Sequence, residues 1–291
     1  MISSRPFAVA AILSLAALTG VSCGGSAGGT ASNTSGGSGG SGAGNGSGGN
    51  GGNVNLGGNG SGTGGNGTAG NNGSGGAGGN GYCGSSLTGT LRDFQQSHPD
   101  FEYTISDDKG IVENLLANDH KPAYAHGSQP TTTVHSQTTF DQWYHDVPNV
   151  NKKIPYTINL TQAGGNVYTY DNPAFFPIDN QGWGNEGNNH NFHFTFEIHT
   201  KFVYNGGEVF TFTGDDDLWT FINGKLAIDL GGVHGAETDS VDLDAQAGAL
   251  GLTKGGTYSL EVFSAERHTT ESHFRIDTTI ASFVDCGGTI Q

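Results

Sequence analysis

Apolar and polar residues alternate through Phe192-His193-Phe194-Thr195-Phe196-Glu197-Ile198-His199. That period of two predicts a strand with its aromatics facing a core and His193, Glu197 and His199 on the other face. Two further apolar runs flank Asn223-Gly224. An Asn-Gly pair in that setting predicts a two-residue hairpin turn, because both residues must accept positive φ. The turn sets a register in which Ile222 faces Lys225, Phe221 faces Leu226, Trp219 faces Ile228 and Leu218 faces Asp229. Trp219, Phe221, Leu226 and Ile228 then share one core face, and Asp216 and Asp229 lie toward the other. Shorter patterns predict strands over 89–94, 101–105, 154–160, 167–170, 208–213, 241–244, 258–263 and 273–283, with a turn at Pro99-Asp100. One helix is expected. Thr139 caps it, Gln142 completes a capping box, Phe140, Trp143, Tyr144 and Val147 share a face, and Pro148 stops it. Trp143 reads as a core anchor.

Upstream the pattern disappears. Residues 24–81 carry no charge and hold over half of the chain's 52 glycines, with Ser, Asn, Thr and Ala making up nearly all the rest. Such a segment cannot bury enough surface to offset its ordering entropy. It is expected to act as a flexible linker spanning roughly 40 Å. Before it, Arg5 and an apolar run from Phe7 to Leu18 form an export signal, too short to span a bilayer as a mature helix. Cys23 follows small residues, which is the pattern of a lipidated mature N-terminus, with Gly20 where Leu is usual; the alternative is ordinary cleavage and free secretion. The expected organisation is thus a signal peptide at 1–22, an anchor and linker at 23–81, and one all-β domain at 82–291. The expected location is the outer membrane or cell surface, or the medium, with membrane contact only through the N-terminal lipid. Cys83 and Cys286 sit at the two ends of the folded stretch. A disulfide between them would close a loop of about 200 residues, worth roughly 5 kcal/mol on the chain-entropy model.

The net charge is −16, and every Asp and Glu lies beyond Tyr82. That balance excludes a phosphate-tracking nucleic-acid role and favours cations as partners. Asp215, Asp216 and Asp217 are consecutive, and the hairpin register returns Asp229 beside them. Two unit charges at 4 Å repel by about 4 kcal/mol at an effective dielectric of 20. Either these acids are fully solvated or a cation holds them, and oxygen-only ligands point to Ca²⁺. The polar loop Ser264–Ser272 brings Glu266 and Glu271 as further ligand candidates and Arg267 as a sugar contact or a partner of the acids. Trp183 among Gly and Asn is either a sugar-stacking platform or the pin of its own loop. Asn191 closes that loop, and His234 follows the hairpin as a further candidate sugar contact. His193, Glu197 and His199 invite a Zn²⁺ reading, but positions two apart along a strand are about 6.5–7 Å apart and lie on one line.

The runs GDDDLWTFINGKLAIDLGGVHG, SAERHTTESHFRIDTTI, HNFHFTFEIHTKFVY, FFPIDNQGWG and LTGTLRDFQQSHPDFEY together resemble a fibro-slime domain, over nearly all of Leu87 to Phe283. Such domains are similar to the protective-antigen-type β-sandwich of fungal flocculin and adhesin lectins. The resemblance implies a jelly-roll-like sandwich with one or two short helices. It also implies a Ca²⁺ held by two adjacent Asp residues joined by a cis peptide, which fall on Asp215 and Asp216. The later ligand loop corresponds to Ser264–Ser272. The chain departs from the lectins at Asp217, which replaces a small residue, and in that loop, which has Glu266 and Glu271 but no Asn. The implied function is a non-catalytic, surface-anchored adhesion or matrix module that binds an extracellular or cell-wall glycan with Ca²⁺. Two alternatives stand beside it: a structural contact protein with a stabilising Ca²⁺, and a polysaccharide-active enzyme using two of the acids.

Overall fold

The computed structural model describes residues 84–281 and 283–285. The expected signal, Cys23, the linker, Cys83 and Cys286 lie outside them. In chain order the elements are β1 (Ser86–Phe94), β2 (Ser106–Asp107), α1 (Gln137–Phe140), β3 (Asn151–Asn159), β4 (Thr161–Gly164), β5 (Val167–Asn172), β6 (Phe194–Val203), β7 (Val209–Gly214), β8 (Asp217–Ile222), β9 (Lys225–Leu230), β10 (Gly232–Val233), β11 (Glu237–Asp242), α2 (Leu243–Leu250), β12 (Thr257–Glu266), β13 (Phe274–Thr278) and β14 (Phe283–Val284). The first sheet runs β3-β1-β6-β12-β8-β9, with β14 also on β6, and the second runs β11-β7-β13-β5-β4. The fold is a β-sandwich with two short helices.

Why the central strands of the first sheet are buried on both sides follows from what packs on them. Phe194, Phe196, Ile198, Leu218, Ile222, Leu260 and Val262 meet Phe210, Phe212, Phe274 and Ile276 of the second sheet. On the opposite face Trp219, Phe221, Phe263 and Ala265 pack under Ile111, Val134, Phe140, Trp143 and Tyr144 from the long 95–150 connection. The six residues of β8 are therefore all buried. Trp143 is a core anchor as expected, fully buried with its Nε1 donating to Asp100 Oδ2 at 3.1 Å.

The Asn223-Gly224 turn forms with φ of 53° and 70°. Ile222 faces Lys225 and Phe221 faces Leu226 as predicted, but a register shift then pairs Thr220 with Ile228, Trp219 with Asp229 and Leu218 with Leu230. The extra residue, Ala227, rotates the returning strand. Ile228 therefore joins the inter-sheet core, not the Trp219 face. Asp229 lands under the indole, where its Oδ1 accepts from Trp219 Nε1 at 2.9 Å and its Oδ2 from Gly110 N at 2.8 Å. It is a structural acceptor and not a fourth member of the acidic group.

Other expectations need correction. The helix is one turn long and begins earlier, with Ser136 Oγ accepting from Thr139 N at 3.2 Å. It does not continue to Val147 because Asn151 Nδ2 takes the carbonyls of Gln142 and His145, at 2.9 and 2.8 Å. Residues 101–105 form no strand, since Glu102 N donates to Arg267 O at 2.8 Å instead of to a neighbouring strand. The stretch 241–244 splits between β11 and α2, where Asp242 accepts from Ala245 N and Gly251 ends the helix at φ 75°. The final predicted strand divides: β13 stays in the second sheet and β14 crosses to β6 in the first.

Gly89 shows how tightly β1 and β6 are drawn together. A Cβ there would stand 2.2 Å from the Glu197 carbonyl oxygen and 2.7 Å from the Phe196 ring. Backbone cannot yield cheaply, so Gly89→Ala is expected to cost about 3 kcal/mol of stability, the upper end of overpacking penalties, read by urea unfolding.

Candidate cation and ligand site

Two connections cross between the sheets side by side at one end of the sandwich. One leaves β7 at Gly214 and enters β8 at Asp217; the other leaves β12 at Glu266 and enters β13 at Phe274. Their flanks are in register, with Gly214 opposite Phe274 and Asp217 opposite Ala265. The first crossing consists of Asp215 and Asp216, joined by a cis peptide. It is tight at Gly214, where a Cβ would lie 2.5 Å from both His273 O and the Phe212 ring. The second crossing clamps the first through its backbone: Asp215 Oδ1 accepts from His273 N at 2.5 Å, and Asp216 Oδ2 from Arg267 N at 2.9 Å.

That geometry leaves carboxylate oxygens unused. Asp215 Oδ2 is buried without a hydrogen-bond partner, and so are both oxygens of Glu266, whose residue is 3% exposed. The Ser272 hydroxyl and the His268 amide favour the Glu266 anion, but neither forms a bond of ordinary geometry. Burial pushes the Glu266 carboxyl well above its usual range, and the charges of Asp216 and Asp215 push it further. Burial also raises Asp216 to about 7, against the pull of the Arg267 charge. Asp215 is raised by burial, with the His273 amide opposing. A trio of mutually repelling acids, two of them with unused oxygens, suits protons or a hard cation. Above it opens a cleft of about 80 Å³ lined by Ile105, Val233, His234, His268, Thr270 and Glu271 together with the two aspartates. Among the described residues no three His, Cys, Asp or Glu side chains converge as a self-sufficient metal cage. A cation held by Asp215 and Asp216 would have to take oxygens from backbone or ligand as well.

The structure thus brings Asp215, Asp216, His234 and Glu271 to one cleft, with Glu266 buried beneath and electrostatically coupled. Other expected site residues are placed elsewhere. Asp217 is fully buried; Arg267 Nε and Nη2 donate to its two oxygens at 2.5 and 3.0 Å, and Gly232 N adds a third bond at 2.7 Å. It cannot reach a cation in the cleft. Arg267 is also fully buried, and its remaining N–H groups go to Asp100 O, Thr133 O and Thr133 Oγ1. With every donor used inside the protein, it is a core residue and not a sugar contact. Its guanidinium lies 4.6 Å from the Trp143 ring centre, a contact that no local pattern around either residue signals.

Asn191 is buried as well, bonded to Asp93 Oδ1, Gly184 O and His193 N, so it pins its loop and has nothing left for a ligand. Trp183 is half-buried beside Asp93, with Lys152 Nζ 3.6 Å from its ring centre. The ring face that a sugar would stack on is thereby covered by a lysine on at least one side. His193 pairs with Glu102 at 2.9 Å, while Glu197 pairs with Arg92, which disposes of the zinc reading. Residues missed from the sequence include Glu102, which holds the second crossing through Thr269 N at 2.9 Å, and Ile105, 66% exposed on the cleft wall. Nothing local to 101–105 signals either role, because both arise from a contact with residues far along the chain.

Residues 163–290 match the PA14 domain. The chain is 43% identical over 211 residues to protein psiR of Dictyostelium discoideum, covering 65% of this chain and 21% of that protein. It is 44% identical over 198 residues to psiQ, covering 62% and 20%, and 41% identical over 221 residues to psiD, covering 69% and 43%. The chain therefore spans from about a fifth to about two fifths of the length of these relatives. Among solved structures, a PA14 sugar-binding domain from an RTX adhesin aligns over 69% of this chain and 99% of its own, at 9% identity and a TM-score of 0.30.

Proposed function

We propose that this chain is a non-catalytic adhesion or extracellular-matrix module of the fibro-slime kind, anchored at the cell surface, that binds a glycan through Ca²⁺ at Asp215 and Asp216. The observation that carries the reading is the set of carboxylate oxygens left without partners where the two crossings meet. The match to the PA14 domain over the residues that build this end supports it. A bound Ca²⁺ would supply positive charge to that set and open coordination positions toward the cleft. The protein's part is to hold the two aspartates by the amides of Arg267 and His273, and to line the approach with His234, Glu271 and Ile105.

A glycan array probed in calcium and again in excess EGTA tests it. Binding to at least one glycan is expected in calcium, absent in EGTA and absent in Asp216→Asn. An array profile unchanged by EGTA would overturn the proposal.

The size of the cleft favours a second reading. At about 80 Å³ it holds an ion, whereas small-molecule pockets run to roughly 300 Å³ and more. The cation would then only brace the crossings. In that case EGTA lowers the melting temperature while no glycan binding depends on calcium. An ion at 100 times its dissociation constant adds about 2.7 kcal/mol to stability.

A further inference from the structure

A second hollow lies on the outer face of the first sheet, between β1, β3, β6 and residues 119–146. It measures about 670 Å³ and shares no lining residue with the acidic cleft. Small-molecule sites fall within roughly 300–1,000 Å³. Its walls carry Arg92, Lys121 and Lys153 against Asp119, Asp146 and Glu197, so charge cancels locally in a chain with a net charge of −16.

These groups are already joined. Arg92 meets Asp146 at 2.8 Å and Glu197 at 2.9 Å; Lys153 meets Asp146 at 3.0 Å; Lys121 meets Glu197. Arg92 and Glu197 are almost wholly buried, so the centre of the network is rigidly placed. Two polar groups in the wall have no partner, the first being the Tyr144 hydroxyl, on a residue 1% exposed. His199 Nδ1 is likewise unpartnered.

We propose that this hollow binds a neutral polyhydroxylated ligand, a saccharide unit, without calcium. A charged ligand would have to break an ion pair to gain its own, whereas hydroxyls need not. Each carboxylate keeps lone pairs to accept, each ammonium keeps hydrogens to donate, and a sugar hydroxyl does both. The Tyr144 hydroxyl supplies a further donor that is unused in the free protein. Pro155 and the Lys153 stem provide apolar surface for the C–H faces of a pyranose. The site is independent of the calcium reading, and its ligand remains bound when calcium is removed.

The test is an array of neutral and acidic oligosaccharides in excess EGTA, read with the wild type, Tyr144→Phe and Lys153→Ala. Chelator-resistant binding to a neutral glycan is expected. Tyr144→Phe should weaken it about 3- to 10-fold, the worth of one hydrogen bond, while the melting temperature holds or rises because the lost hydroxyl had no partner. Lys153 is 42% exposed, so its truncation is tolerated by the fold and should weaken the same binding. No chelator-resistant neutral binding, a preference for acidic glycans, or equal affinity in wild type and Tyr144→Phe would each overturn the proposal. None of these outcomes bears on the chelator-sensitive signal that tests the acidic cleft.

Discussion

Arg267→Met is expected to lower the unfolding free energy by about 3–5 kcal/mol, the usual cost of removing one partner from a buried ion pair. Methionine fills much of the same volume, so the loss reports the charge and not a cavity. What remains behind is Asp217, fully buried, with only the Gly232 amide at 2.7 Å to hold its charge. The carbonyls of Asp100 and Thr133 lose their donors in the same step. Adding Asp217→Asn removes the stranded charge and should restore part of the loss, giving a clear non-additive cycle in urea unfolding. A single-variant loss below about 1 kcal/mol, or strict additivity, would show that Arg267 does not organise this core. The consequence reaches the cleft, because the Arg267 amide is what holds Asp216.

The second large effect lies in β12, away from the acids. Glu261 is 2% exposed, and its Oε2 has no partner. Burial raises its carboxyl from 4.5 to about 7. The groups that face it do not prevent this. His120 Nδ1 stands 3.7 Å from Oε1, and Lys201, which lines the same hollow with His199 and Asp285, pairs with Asp285 at 3.2 Å. A carboxyl raised in the folded state contributes stability that is full below pH 4.5 and is lost as pH rises through about 7. Glu261→Gln never ionises. It should therefore match the wild type near pH 4.5 and exceed it by on the order of 3 kcal/mol at pH 8, since each tenfold change in proton affinity is worth about 1.36 kcal/mol. Urea unfolding at the two pH values decides it. A difference between the proteins that does not grow with pH would refute the assignment.

Both predictions concern side chains whose surroundings come from distant segments, and the same division runs through the whole molecule. The strand pattern was legible wherever one face met the inter-sheet core, as in Phe194, Phe196 and Ile198, because alternation is a local property of the pleat. The Asn223-Gly224 turn was legible for the same reason, since positive φ is a demand on two residues alone. So was the pairing of acids at 215 and 216, though only through a resemblance carried by the runs around them.

Which charges are used up inside was not legible along the chain. By spacing alone Asp215, Asp216 and Asp217 read as equals, and the resemblance marks Asp217 only as a departure. The second crossing shows what the departure does, giving Asp217 to Arg267 and leaving Asp215 with an unpartnered oxygen. Arg267 read as a sugar contact or a partner of the acids; the second holds, at Asp217, but nothing within a few residues shows that Asp100, Thr133 and Trp143 close over it. The Ala227 register shift likewise depends on two different cores competing for the two faces of one hairpin. Local propensity and spacing determined the strands and the turn, and the resemblance pointed to the acidic pair. Burial, which sums contacts from segments far apart in sequence, decided which of the charged residues remain available to a ligand.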